Sequence, residues 1–160
     1  MERQVITIEL AGVPVAKGRP RFVRKTGMAF TPAHTRQYES HLRLAAQQAM
    51  DGLPMLQGAL LMRVRVTLPV PASFSKRRRE AALAGLEWPA KRPDWDNYGK
   101  AASDAMNTIV FNDDSQIVDA RVVKQYGERP GLRIEVGPIT SEAAPPGSRI
   151  VADILWGGDA

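Results

Sequence analysis

The stretch 61-LMRVRVTL-68 alternates apolar and polar side chains with a period of two. This is the pattern of a β-strand with one covered face. Residues 5–10, 117–124 and 132–136 alternate in the same way. Such alternation means that one face of the sheet packs on the core, whereas the other face is wet or meets a polar partner. The four segments therefore predict a sheet that is covered on one face.

Two longer segments predict helices. The first begins near Thr31-Pro32, where a capping residue precedes proline, and ends at Asp51-Gly52. The second runs from Pro93-Asp94 to about Asn107, and a short helix is expected over 75–84. Each long segment has an apolar stripe at helical spacing, which comprises Tyr38, Leu42, Ala45 and Ala49 in the first and Tyr98, Ala101, Ala102, Ala105 and Ile109 in the second. The order of elements predicts the α+β class, with a mixed β-sheet and two main helices packed on one face.

The domain organisation follows from length and loop composition. The 160 residues correspond to one domain with at most a tail. Residues 16–28 predict a basic hairpin with its turn at 25–27, and residues 69–93 predict a long basic loop. Residues 140–148 are small, polar and rich in proline. We therefore expect one domain over 1–139, followed by a linker and C-terminal arm over 140–160.

Composition excludes several classes of site. The chain has no cysteine, which removes disulfides, zinc–thiolate sites and thiol nucleophiles. No glycine-rich phosphate loop follows a strand, so no nucleotide cofactor is expected. His34 and His41 lie seven residues apart without an accompanying carboxylate motif, and we expect them at the surface rather than on a metal. No apolar run approaches a membrane span and residues 1–3 lack a secretory pattern, so the expectation is a cytoplasmic protein without a membrane partner.

The charge is unevenly distributed along the chain. The net charge is +5, but residues 1–93 hold 16 basic and 6 acidic side chains, whereas residues 94–160 hold 6 basic and 11 acidic ones. A basic half indicates a polyanion partner, and nucleic acid is the commonest. The candidate phosphate contacts are Lys17, Arg19, Arg21, Arg24 and Lys25 in the hairpin, Arg77, Arg78, Arg79, Lys91 and Arg92 in the loop, and Lys124 in the third alternating segment.

The densest acidic cluster follows directly on the basic half and comprises Asp94, Asp96, Asp113 and Asp114. Helix capping and turn formation are the ordinary roles of such residues. Acids beside a DNA-binding surface repel phosphate, however, unless a divalent cation lies between them. Carboxylates from two elements could hold one or two Mg²⁺ ions. Lys100 lies one turn after Asp96, where it would pair with Asp96 or Asp104 or face a scissile phosphate.

Two motifs and their spacing resemble a known family. The stretch 92-RPDWDN-97 with Lys100 and Asp104-Ala105, followed by 113-DDSQIVDARVVK-124, is similar to the RusA family of Holliday junction resolvases. The stretches 12-GVP-14 and 17-KGRPRF-22 are also similar, and the resemblance spans about residues 5–136. One departure is Pro93, where some members carry a basic residue. The nearest positive charge here is Arg92, and we expect the bulky Trp95 to pack in the core rather than stack on DNA.

The resemblance implies a RusA-like fold and a homodimeric endonuclease that depends on Mg²⁺, or on Mn²⁺ in its place. Such an enzyme binds four-way DNA junctions and nicks two opposing strands. It implies that Asp94, Asp96 and Asp114 are catalytic metal ligands, that Lys100 is essential and that Asp113 has a secondary role at the metal.

Two other classes remain open at this point. A non-catalytic protein that binds branched or bent DNA would use the same basic surface, with the aspartates serving only as caps and turns. An RNA-binding module is less well supported, because the exposed aromatic pairs that stack on bases are not evident. The sequence does not show which surface forms the dimer or where the strands are cut.

Overall fold

The computed structural model describes residues 4–18, 21–22, 24–25 and 27–139. The predicted linker and arm over 140–160 lie outside the described residues, so the domain boundary stays a prediction. Arg19 also lies outside the described residues. The elements in chain order are β1 (Ile6–Ala11), β2 (Arg21–Phe22), β3 (Ala29–Phe30), α1 (Ala33–Met50), β4 (Leu60–Leu68), α2 (Lys76–Leu83), α3 (Trp95–Met106), a 3-10 turn (Asp114–Gln116), β5 (Ile117–Tyr126) and β6 (Gly131–Pro138).

The sheet has four strands in the order β1-β6-β4-β5. β4 pairs in parallel with β5, and the other pairs are antiparallel, so the sheet is mixed. α1 packs against β1 and α3, and α3 packs against β4 and β5. β2 and β3 form the small antiparallel hairpin expected in the basic segment. The predicted α+β class and the helices expected from the apolar stripes are confirmed.

The core lies between the sheet and the two long helices. The largest buried side chains include Leu42 of α1, Tyr98 and Met106 of α3, and Val64 of β4. α3 lies close to β5 where its residues are small, at Gly99. A Cβ added at Gly99 would lie only 3.2 Å from Cγ2 of Val122. No helix within the described part of the chain combines the length and hydropathy of a membrane span.

The second face of the sheet carries ion pairs. Arg133 of β6 pairs with Glu135 on the same strand, with 2.7 Å between Nη2 and Oε1, and with Glu9 of β1. Arg63 of β4 pairs with Asp119 of β5, with 3.1 Å between Nη1 and Oδ1. Arg63 is only 4% exposed, so solvent barely reaches the polar face of this central strand at position 63. The neighbouring strands cover it, which the alternation within one strand cannot reveal.

Two expectations about the covered face are wrong in detail. Val118 was expected inside with Val122, but it is 63% exposed, and Ala120 is exposed as well. β5 is an edge strand, and α3 comes closest to it at Val122 rather than at the first residues of β5. Ser103 lies outside the predicted apolar stripe of α3 but is buried, with its hydroxyl donating to the backbone carbonyl of Lys100.

We expect Asp119→Ala to destabilise the fold by about 3 kcal/mol, because it leaves the buried Arg63 guanidinium without its carboxylate. Urea unfolding measures the change. The double variant Arg63→Met with Asp119→Ala removes both charges and should recover most of the loss. An equal loss in the single and double variants would contradict a role for the pair.

Candidate active site

The first turn of α3 presents two of the candidate carboxylates. Asp94 occupies the N-cap position with extended backbone, but its side chain accepts no capping hydrogen bond from the described backbone. The Asp96 carboxylate accepts one from the backbone N–H of Asn97 at 3.0 Å. Both aspartates are exposed. The Asp94 side chain therefore does not fill the capping role that the sequence suggests.

Lys124 fixes the backbone that leads into this turn. Its Nζ donates to the carbonyl oxygens of Lys91 at 2.6 Å and of Pro93 at 2.9 Å. These bonds tie the end of the basic loop to β5, immediately before Asp94. Lys124, a candidate phosphate contact, therefore has a positioning role in this structure.

A chain of alternating charges runs to the other side of the site. Nζ of Lys100 lies 2.9 Å from Oδ1 of Asp104 and 3.2 Å from Oδ2 of Asp114. The other oxygen of Asp104 lies 3.1 Å from Nζ of Lys17, which also pairs with Glu39 of α1 at 2.8 Å. The backbone N–H of Lys17 donates to the carbonyl of Asn97. These five side chains come from α1, the segment after β1, α3 and the turn before β5, and their ion pairs hold Lys100 beside Asp114.

The carboxylates in this chain hold both lysines in the protonated form. Hydrogen bonding to Asp104, then to Asp114, raises the pKa of Lys100. The pKa of Lys17 is raised chiefly by its bond to Glu39. Since both shifts are upward, the two lysines remain cationic at neutral pH. Lys17 is another candidate phosphate contact, but in this structure its ammonium is paired with two carboxylates of the protein itself.

The turn before β5 shows why two adjacent aspartates have different roles. The Asp113 carboxylate bonds to Ser115, which lowers the pKa of Asp113, and its Oδ1 accepts from the Ser115 backbone at 2.8 Å. Gln116 accepts from the backbone of Asn112 and Asp113 and donates to the carbonyls of Leu56 and Gly58. Asp113 is therefore engaged in forming the turn, while Asp114 faces Lys100.

Two cavities meet at Trp95 and Asp96. The loop cavity, of about 610 Å³, is lined by Ala90, Lys91, Arg92, Asp94, Trp95, Asp96 and Lys124. The helix–strand cavity, of about 430 Å³, is lined by Met62, Trp95, Asp96, Asn97, Gly99, Lys100, Ser103, Asp114, Ile117, Ala120 and Val122. The structure thus places Asp94, Asp96, Asp114 and Lys100 along one cleft. Three His, Cys, Asp or Glu side chains do not converge on one point anywhere in the described residues.

Trp95 differs from its expected placement. We expected it to pack in the core, yet it is 60% exposed and borders both cavities. The reason is its position as the first residue of α3, at the end of the helix and one turn before the buried Tyr98.

The other basic candidates divide into two groups. Arg78 is tied to the protein, because it forms two hydrogen bonds with Glu87 through Nε and lies 3.7 Å from the Phe74 ring centroid. The side chain of Arg21 is not described, and Arg19 lies outside the described residues. The exposed candidates are Arg24, Lys25, Arg77, Arg79, Lys91 and Arg92. His34 and His41 are also exposed, on α1.

Sequence reasoning missed two contributors to the site, Glu39 and Gln116. Gln116 lies in the resembling motif, which is a signal for a role but does not indicate hydrogen bonds to residues 56–58. Glu39 gives no local signal, because its partner Lys17 is 22 positions away in the sequence.

Comparison with known proteins identifies the family of this chain. The family model of the endodeoxyribonuclease RusA matches residues 11–137, which include all of the candidate carboxylates and Lys100. A Bacillus subtilis (strain 168) protein described as the uncharacterized protein YqaN is 35% identical over 140 residues, or 85% of this chain and 98% of that protein. The chain therefore belongs to the RusA family of Holliday junction endodeoxyribonucleases.

Proposed function

We propose that this protein resolves four-way DNA junctions by paired, Mg²⁺-dependent nicks in opposing strands. The observation that carries the proposal is the row formed by Asp94, Asp96, Asp114 and Lys100 along one cleft with a basic margin. Family membership supports the nuclease activity and the junction substrate. The metal, its ligands and the pairing of the nicks are our proposal.

Carboxylate oxygens are the ligands that Mg²⁺ prefers, and this ion keeps several waters. It is commonly held by one or two carboxylates together with substrate phosphate, rather than by a closed protein cage. The open row fits that mode, because Asp96 shares one cavity with Asp94 and the other with Asp114. We assign Asp94, Asp96 and Asp114 as the carboxylates that would hold one or two such ions, each ion on one or two of them together with substrate phosphate. When bound, the cation would supply hydroxide near neutral pH and stabilise charge on the phosphate.

Lys100 acts in this proposal as a fixed positive charge. Its ammonium is held by two carboxylates, and its pKa is raised, so it is not a base that takes a proton from water. A preorganised cation beside the scissile phosphate would stabilise the charge that develops in the transition state. Lys17 and Glu39 hold Asp104, and through it Lys100, in place.

A homodimer follows from the paired nicks, because cutting two strands at one junction takes two copies of this cleft. The exposed arginines and lysines at the cleft margin would hold the phosphates of the arms. Such contacts position DNA without reading sequence.

Asp94→Asn should retain junction binding, or tighten it, because removing a negative charge lessens repulsion of phosphate. Cleavage in Mg²⁺ should fall by at least about 100-fold, since losing a direct ligand costs no less than losing an outer partner of one. Single-turnover cleavage and gel-shift binding measure the two effects. The matched control is Asp51→Asn, at the exposed end of α1, which should cut like the parent. Near-normal cleavage by Asp94→Asn would remove Asp94 from the metal site.

Metal dependence is tested with a junction labelled on each arm in turn and analysed on a denaturing gel. In EDTA we expect binding without nicks, and Mg²⁺ or Mn²⁺ should produce symmetric nicks in opposing strands. Nicks in EDTA would exclude the proposed metal role. Binding with no nicks under any condition would favour the non-catalytic, branched-DNA-binding alternative.

The salt dependence of junction binding should distinguish the arginines of α2 from one another. Arg77→Gln and Arg79→Gln should each reduce the slope of log K against log salt by about one, because each removes one phosphate contact. Arg78→Gln is the matched control, since Arg78 is engaged with Glu87 and Phe74 and should leave the slope unchanged. An equal effect at all three positions would contradict this division.

A further inference from the structure

Trp95 is the most conspicuous apolar side chain at the cleft. It lies between Asp94 and Asp96 in sequence, it is 60% exposed, and it forms part of both cavities. Leaving a large aromatic side chain in water forgoes the free energy of its burial. The proposed metal chemistry uses the neighbouring carboxylates but gives no role to the indole.

The two cavities beside Trp95 differ in chemistry. The loop cavity has Lys91 and Arg92 at its wall, which suits a backbone phosphate. The helix–strand cavity offers apolar atoms of Met62, Ile117 and Val122 beside the polar groups of α3. A nucleotide has these same two parts, an anionic phosphate and a flat apolar base.

The base of the helix–strand cavity is formed by closely packed residues of α3 and β5. Gly99 lets α3 approach β5 so closely that an added Cβ would lie 3.2 Å from Val122, and the methyl groups of Val122 therefore pack directly beneath the helix. The volume of about 430 Å³ falls in the range of about 300–1,000 Å³ that small-ligand sites occupy.

We propose that the helix–strand cavity receives one unpaired base of the cleaved strand, stacked on Trp95, while an adjoining phosphate lies in the loop cavity. This inference rests on the proposed function, since it places the strand between the carboxylates of the cleft. Only a base outside the helical stack presents a free face to an indole, and the branch point of a junction is where the continuous stack of each duplex is interrupted. Trp95 is thus a positioning residue that selects which phosphate lies beside Asp96.

The first test does not depend on cleavage. A series of four-way junctions, each with one 5-iodouracil within three nucleotides of the branch point, is irradiated with the full chain in EDTA. The cross-linked peptide is then identified by mass spectrometry. We expect a cross-link to Trp95 from one or two positions only. Cross-links that map to other residues at every position would overturn the inference, whether or not the protein proves to be a nuclease.

Variants provide the second test. Trp95→Ala should weaken junction binding about tenfold, as loss of a base–aromatic stack does, and should broaden the set of nick positions. Trp95→Phe keeps a ring and should restore most of both properties. Trp88→Ala is the matched control, because Trp88 is 55% exposed but lines neither of the two cavities. Parental affinity and nick positions in a folded Trp95→Ala would contradict the proposal, as would an equal effect in Trp88→Ala.

Discussion

Two strands that pair in parallel cannot be joined by a tight turn, and β4 and β5 are such a pair. Between the end of β4 and the start of β5 the chain must cross back along the sheet, and α3 is part of this crossover connection. It runs opposite to β5, so that Pro93 lies by Lys124, Gly99 by Val122 and Lys100 by Asp114. This one pairing brings Lys91 and Lys124, which lie 33 positions apart in sequence, onto a single cleft.

Inside the cleft, ion pairs rather than apolar packing determine where the polar side chains lie. The chain from Glu39 through Lys17, Asp104 and Lys100 to Asp114 links α1, the segment after β1, α3 and the turn before β5. Isolated surface pairs contribute little to stability. Their value here is geometric, because each cation is held by two carboxylates and has less freedom than a single pair would give it.

The sequence patterns were sufficient to predict the main strands and helices, and they singled out the acidic residues that the structure places along the cleft. Alternation and apolar stripes report local periodicity, and these elements keep it, so the strands and helices were predictable. The motif around Asp94 and Asp96 lies within one helical turn, so its spacing also defines its geometry. Partners distant in sequence were not predictable, since nothing near Lys17 or Lys124 shows that its charge is satisfied internally. The exposure of Trp95 depends likewise on where α3 starts relative to the sheet.

Charge balance connects the acidic centre to the basic margin. Within the described residues, neither Asp94 nor Asp96 forms a salt bridge, and Lys124 is bound to backbone carbonyls rather than to either of them. The ammonium of Lys100 is paired with Asp104 and Asp114, so it does not neutralise Asp94 or Asp96. A phosphodiester that enters this cleft adds one more negative charge near two uncompensated ones, while Lys91 and Arg92 act only from one side. The electrostatic cost falls if a divalent cation binds along with the DNA, and the distribution of charge is therefore itself an argument for metal-assisted chemistry at this place.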